Sequence, residues 1–248
     1  QSKFSMDRVY SFFGKYTNQE LEEKEFRLSK PGMVSVNNNN GNVTIATDWQ
    51  KDVICLKAIK RAAKPEDLTS ITINAKQQTA HDGSQHLVLS TEFADESLKG
   101  AVDYELIVPG HVQVSLSTQH GQITVNDIKG AITARTMNGP IQLYNTYSTV
   151  DAQTEESGNI AIEKAQGNIK ALANKGNITI TDATKSIIAT TQKGNIVANC
   201  PHVDPTARLV MDTHVKGSIT LALPSNVNAT IFGKTETGKF NSEHYVTL

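Results

Sequence analysis

Cys200, His202, Asp204, Asp212 and His214 fall within fifteen consecutive positions, and their side-chain types could do chemistry. Cysteine, histidine and aspartate are the ligands that hold soft or borderline metals, and a cysteine two positions from a histidine could act as a thiolate beside its base. The spacing matches no standard zinc arrangement, in which close ligand pairs are set apart by a longer run. Pro201 and Pro205 mark the stretch as an ordinary loop. The sequence therefore assigns no catalytic residue, no cofactor-binding residue and no metal ligand. The second cysteine, Cys55 in the run DVICLK, lies 145 positions before Cys200. A disulfide needs Cα atoms within about 7 Å, so both read as lone thiols. His81, His86, His111, His120 and His244 are scattered near turns and read as solvated.

What positions all of these is a repeat. The segments GQITV, GAITA, GPIQL, STVDA, GNIAI, GNIKA, GNITI, KSIIA and GNIVA begin at 121, 130, 139, 148, 158, 167, 176, 185 and 194. The fifth residue alternates between Ala134, Ala152, Ala171 and Ala189 in one set and Val125, Leu143, Ile162, Ile180 and Ala198 in the other, so the true period is about eighteen residues. A unit this short cannot bury its own apolar side chains and must stack on copies of itself. Within each unit the third and fifth residues are apolar and their neighbours mostly polar, the period of a strand with one buried face. Ile123 and Val125 point in, while Gln122 and Thr124 point out. The expected fold is all-β: a single-stranded, right-handed parallel β-solenoid with coils of about eighteen residues, each two units of about nine, and longer, less regular strands on the N-terminal side. Glycine opens seven of the nine units, where a corner is expected to need positive φ. In this register Asn159, Asn177 and Asn195 stack, and their amides could form a ladder with a structural or a binding role.

The flanks continue the theme. Between Phe26 and Thr118 the runs MVSV, NVTIAT, DVICLKAI, SITINA, HLVLS, YELIV and HVQVSL alternate between turn clusters. After Cys200 the phase breaks, and GSITLALP and ATIFGKTETGKF complete the C-terminal end. The expected organisation is a leader or capping segment over 1–25 and one solenoid domain over 26–248, divided into 26–118, 121–200 and 201–248. Met6, Val9, Tyr10 and Phe13 have helical spacing and stop at Gly14. Such a segment could cap the stack, be a tether left after an export signal, or meet a partner or a membrane surface, although its polar face lacks the Lys and Arg that anionic lipid attracts.

With 24 Lys plus Arg against 25 Asp plus Glu, the net charge of −1 gives no support to a nucleic-acid or other polyanionic partner. No run of eighteen apolar residues exists to span a membrane as a helix. Gln1 opens the chain with neither methionine nor a hydrophobic targeting segment, as expected of a processed or recloned exported protein. The outward rows read Thr124, Gln142, Ala161, Thr179, Val197 on one face and Thr133, Asp151, Lys170, Ile188 on the other. Neither supplies the acid pair of a polysaccharide-cleaving cleft, and no Gly-Gly-x-Gly-x-Asp turn is present to cage calcium.

The GNI, GNITI and GSITLALP motifs, preceded by VDYELIVP and by KPGMVSVNNNNGNVTI, resemble the bacterial candidate adhesins of the DUF4097 family and the related head GIN domain, the toast-rack group. The resemblance spans about Phe26 to Ser242. It implies a β-solenoid in the bacterial envelope with an adhesive role, and it transfers no functional residue. Two functions are expected from these readings: a non-enzymatic adhesin whose rod binds a surface glycan or protein, or a periplasmic scaffold or stress-sensing domain docked on a membrane signalling partner. A polysaccharide lyase or hydrolase acting through Asp204 or Asp212 is the more remote alternative. The oligomeric state is left open.

Overall fold

The computed structural model describes residues 16–227 apart from 49, 51 and 96. The expected N-terminal helix, the ATIFGKTETGKF run and His244 lie outside the described residues. Eight strands form the N-terminal side: β1 (Asn18–Arg27), β2 (Pro31–Asn40), β3 (Val43–Thr47), β4 (Val53–Ala62), β5 (Ile71–Thr79), β6 (Gln85–Phe93), β7 (Gly100–Val108) and β8 (Gln113–His120), with one 3-10 helix at Pro65–Ser70. The nonapeptide units follow as β9 (Ile123–Asn126), β10 (Ile132–Asn138), β11 (Ile141–Thr146), β12 (Val150–Ser157), β13 (Ile160–Ala165), β14 (Ile169–Lys175), β15 (Ile178–Ala183), β16 (Ile187–Lys193) and β17 (Ile196–Asn199). Two further strands, β18 (Leu209–Lys216) and β19 (Ile219–Ala222), extend the stack past the phase break.

These strands form two sheets, and the units alternate between them. One sheet runs β1-β4-β7-β3-β9-β11-β13-β15-β17-β19 and the other β18-β16-β14-β12-β10-β8-β2-β6-β5. From β8 and β9 onward every pairing is parallel and joins a residue to its equivalent one coil on, as in Ile160 with Ile178 and Ala171 with Ala189. The chain is therefore the expected solenoid, flattened into two faces. At the N-terminal end β1, β4 and β7 pair antiparallel, as do β5 and β6. The boundary expected at 25/26 falls inside β1, whose ten residues match β4 from Asn18 opposite Ala62 to Arg27 opposite Val53. The strand NQELEEKEFR is hard to read because it is mostly charged and its only large apolar residues are Leu21 and Phe26. Its pairing rests on backbone, on Lys60 Nζ at 3.2 Å from Glu20 Oε1 and 3.6 Å from Glu22 Oε2, and on Phe26 against the core, with no fully buried residue to give it a pattern.

The core is a set of columns. Ile123, Ile141, Ile160, Ile178 and Ile196 stack on one sheet, and Ala134, Ala152, Ala171 and Ala189 stack on the other, all fully buried. Each isoleucine removed from water contributes about 2 kcal/mol, and its β-branch suits the pleat. In one polar column inside the stack the buried hydroxyls of Thr136 and Thr191 donate to the carbonyls of Gly121 and Gly176 at 3.3 and 3.0 Å, whereas the buried Thr146 hydroxyl has no partner among the described residues.

The corner glycines act for a reason different from the one the sequence suggests at two of the seven positions. Gly121, Gly139, Gly158, Gly176 and Gly194 have φ between 145° and 157°, but Gly130 and Gly167 do not have positive φ. What unites all seven is contact with the coil before. A Cβ at Gly130 would lie 2.1 Å from the Val112 carbonyl oxygen, and one at Gly167 would lie 2.1 Å from that of Ser148. The left-handed non-glycine residues Asp127, Asn145, Lys164 and Asp182, at φ 55° to 60°, sit at the corner that Gly130 and Gly167 also occupy. Asp and Asn tolerate this conformation by bonding locally, and the Asn145 Nδ2 donates to the Asp127 Oδ1 one coil before.

Candidate functional surface

The stretch richest in chemistry-bearing residues is dispersed by the fold. Cys200 follows β17 and is fully buried, with burial pushing its thiol pKa up, so it is no thiolate at neutral pH. His202 is exposed on the loop after it. Asp204 holds that loop together: its Oδ1 accepts from the Thr206 N–H at 2.9 Å and hydroxyl at 2.7 Å, and its Oδ2 accepts from Lys185 Nζ at 2.7 Å. The Lys185 bond leads in holding the Asp204 carboxyl well below the usual carboxylate range. Asp212 and His214 lie on β18 with 3.6 Å between Oδ2 and Nδ1, on the sheet opposite β17. Among the described residues no three of His, Cys, Asp and Glu converge as metal ligands. Both cysteines are free, Cys55 half-buried on β4 near the other end of the stack.

Buried polar chemistry instead concentrates where the antiparallel strands meet the solenoid. Asp103 Oδ2 lies 2.6 Å from the Arg61 guanidinium, and its Oδ1 accepts from the Asn42 N–H at 2.9 Å. Burial raises the Asp103 pKa in spite of both contacts. Beside it, Thr91 donates its hydroxyl to Asn38 Oδ1 at 2.8 Å, so the 2.7 Å contact to Tyr104 has the phenol as donor. Burial pushes the Tyr104 hydroxyl up to about 12. Asn38 Nδ2 completes the chain by donating to the Val102 carbonyl at 2.8 Å. This network ties β2, β6 and β7 together across both sheets. Sequence reading missed it, because Tyr104 in YELIV looks like any other inward apolar position.

The outer surface is a set of rows in the expected register. Gln142 sits on Thr124 and under Ala161, followed by Thr179 and Val197; on the other face Thr133, Asp151, Lys170 and Ile188 stack in turn. The second row borders a shallow trough of about 360 Å³. At the edge between the faces the asparagines form a ladder, but not amide to amide: Asn159 Oδ1 accepts from the backbone N–H of Asn177, and Asn177 Oδ1 from that of Asn195, both at 2.8 Å. Ser218 continues it, its N–H donating to Asn195 Oδ1 at 2.9 Å. Each side-chain carbonyl is thereby spent on the next corner, leaving the Nδ2 groups outward.

The edge carries a charge pattern that composition does not display. Lys175 pairs in register with Lys193, and Lys193 with Lys216. The three lie 18 and 23 residues apart in a chain of balanced charge, so no basic run is visible along the sequence. Stacking sets them on adjacent strands about 4.8 Å apart, as a column of cationic residues.

No family model matches the chain, and no curated protein matches it either. Membership of the DUF4097 group, which the motifs suggest, is thus not shown. Among solved structures the chain is similar to a candidate cell adhesion protein from Clostridium sporogenes at 11% identity, covering 83% of this chain and 100% of that one, with a TM-score of 0.45. It is similar to a candidate adhesin from Bacteroides fragilis at 16% identity, covering 82% and 97%, with a TM-score of 0.43. A third, a candidate adhesin from Parabacteroides distasonis, has 12% identity over 82% and 97% and a TM-score of 0.28.

Proposed function

We propose that this chain is a non-enzymatic protein of the bacterial envelope, an adhesin that presents a rigid β-solenoid to a glycan or protein on a partner surface. The observation that carries the reading is the outer register: one side chain per coil, repeated in rows along two sheets held apart by a continuous core. Such rows suit a partner that is itself extended, because contacts can be spread over many coils and none need be strong. The groups with most chemical potential are occupied in holding the fold, Asp204 by Lys185 and Thr206, Asp103 by Arg61 and Asn42. The test is protease accessibility and antibody labelling of the native protein on intact cells, with a known periplasmic protein as internal control. Cleavage of intact cells supports display at the surface. Protection until the envelope is opened would contradict it and favour a periplasmic scaffold or sensor.

A further inference from the structure

Among the described residues the lysine column at the solenoid edge has no partner. Lys175, Lys193 and Lys216 are exposed, and among the described residues none of them makes an ion pair or a side-chain hydrogen bond. Like charges directly opposite one another on paired strands repel. The repulsion is not relieved along the ridge: the stretches 174–179, 192–197 and 215–220 contain no acidic residue. On the coil before, Glu156 accepts from Asn138 Nδ2 at 2.8 Å. A shallow cleft of about 540 Å³ runs between Lys193, Asn195, Val215 and Lys216.

Beside the cations stands a second row of donors. Asn177 and Asn195 each follow a corner glycine, and their Oδ1 atoms accept from the next coil. Their exposed Nδ2 groups make no hydrogen bond among the described residues, so two successive coils each offer an ammonium and, two residues on, an amide N–H pair, and the third offers Lys216 followed by Ser218. We propose that this edge is a docking ridge for a linear acidic polysaccharide, lying along the solenoid axis with a carboxylate at each lysine and sugar hydroxyls at the asparagines. The coil spacing of about 4.8 Å is comparable with the length of one sugar in an extended chain, so successive residues of a uronic acid polymer can meet successive coils. The same stretches contain no aromatic residue, which removes the stacking platform that single-stranded nucleic acid uses. The proposal narrows the surface-partner reading to one ligand class, yet it rests on the lysine and asparagine columns and is tested on purified protein.

The experiment is a titration of the full chain with sodium polygalacturonate, followed by calorimetry at several salt concentrations. Neutral dextran, single-stranded oligothymidylate and phosphatidylglycerol vesicles serve as competing probes. The expected result is binding to polygalacturonate that weakens as salt rises and no binding to dextran. The triple variant Lys175→Gln, Lys193→Gln, Lys216→Gln is expected to bind at least tenfold more weakly and with a shallower salt dependence. Because it removes only repulsion, it should melt no lower than the parent, which keeps a loss of binding from being a loss of fold. Substituting Lys57, Lys60 and Lys76 on the N-terminal strands instead should leave binding unchanged. Equal binding by the triple variant, or preference for the oligonucleotide or the vesicles, would overturn the proposal. Surface display, read on intact cells, stands or falls separately.

Discussion

Gly176 packs against Gly158 so closely that a Cβ built on it would lie 1.9 Å from the Gly158 carbonyl oxygen. Gly194 stands in the same relation to Gly176 at 2.0 Å, and Gly158 to Gly139. The glycines therefore set the distance between coils as well as the direction of the chain. Gly176→Ala is expected to cost about 3 kcal/mol, because the clash is with backbone that cannot turn aside. Gly83, whose φ is +77° but which has nothing within 4 Å of a built Cβ, is the control. There Ala should cost only about 1 kcal/mol, the strain of a left-handed conformation. Denaturant midpoints of the two variants check the difference.

The isoleucine columns predict a graded series. Ile178 is fully buried between Ile160 and Ile196. Ile178→Val should lose about 1 kcal/mol and Ile178→Ala about 3 kcal/mol. Ile178→Asp, which places a carboxylate where no partner exists, should unfold the adjoining coils. Thermal melting followed by circular dichroism distinguishes the three. Wild-type melting of the Asp variant would mean that the inward register is wrong.

The Tyr104–Thr91–Asn38 chain gives an asymmetry. Tyr104→Phe removes a donor whose partner, Thr91, still has Asn38 to bond, and should cost about 1 kcal/mol. Thr91→Val leaves the buried Tyr104 hydroxyl without an acceptor and should cost about 2 kcal/mol or more. Urea denaturation of the two single variants measures it, and equal losses would argue against the assigned direction of the bonds.

Two aspartates should respond to pH with opposite sign. The Asp204 carboxyl is held below its ordinary value of 3.8, first by Lys185, so its contribution is present above that value and is lost as pH falls through the folded-state pKa. Asp204→Asn should therefore flatten the acid limb of the stability profile. Asp103 has a folded-state pKa raised by burial, so the native state holds its proton longer than the unfolded chain does. Its contribution to stability declines as pH rises from 3.8 through the raised value. Asp103→Asn should remove that decline, and at neutral pH it should cost about 3 kcal/mol because it strands the Arg61 guanidinium. Denaturant titrations at a series of pH values separate the two.

Thiol chemistry should divide the cysteines. Cys200 is fully buried with a raised pKa and should not react with an aromatic disulfide reagent until its coil opens, whereas half-buried Cys55 should react sooner. Labelling followed by peptide mass spectrometry reads each site. Rapid native labelling of Cys200 would show that the end of the stack opens freely.

The repeat was legible because each coil restates it: Ile160, Ile178 and Ile196 occupy the same phase, and the alanine column announces the second sheet. The register of the outward rows followed directly from that phase. What stayed hidden depends on relations between coils or between unlike strands. Lys175, Lys193 and Lys216 are unremarkable one at a time, and only parallel pairing brings them together. β1 has no hydrophobic alternation and is held by backbone pairing to β4. The group of Cys200, His202, Asp204, Asp212 and His214, to which the sequence assigned no site, is close in sequence yet dispersed in the fold, with Cys200 in the core and Asp212 on the opposite sheet from β17. Glycine at position 130 was legible as a corner, while its cause, contact with the Val112 carbonyl, was not.

Every surface row and the lysine ridge depend on the coil of 18 residues that sets Asn177 on Asn159. The most direct measurement is the melting of two internal deletions. Removing residues 159–176 takes out one whole coil and joins Gly158 to Asn177, so that each remaining strand keeps its sheet and its inward face. Removing residues 159–167 takes out half a coil and sends every later strand to the wrong sheet, setting alanine columns on isoleucine columns. The first variant should remain folded with a cooperative transition and a shorter rod by small-angle scattering, and the second should lose its transition. Equal behaviour of the two, folded or unfolded, would contradict the stacked eighteen-residue coil.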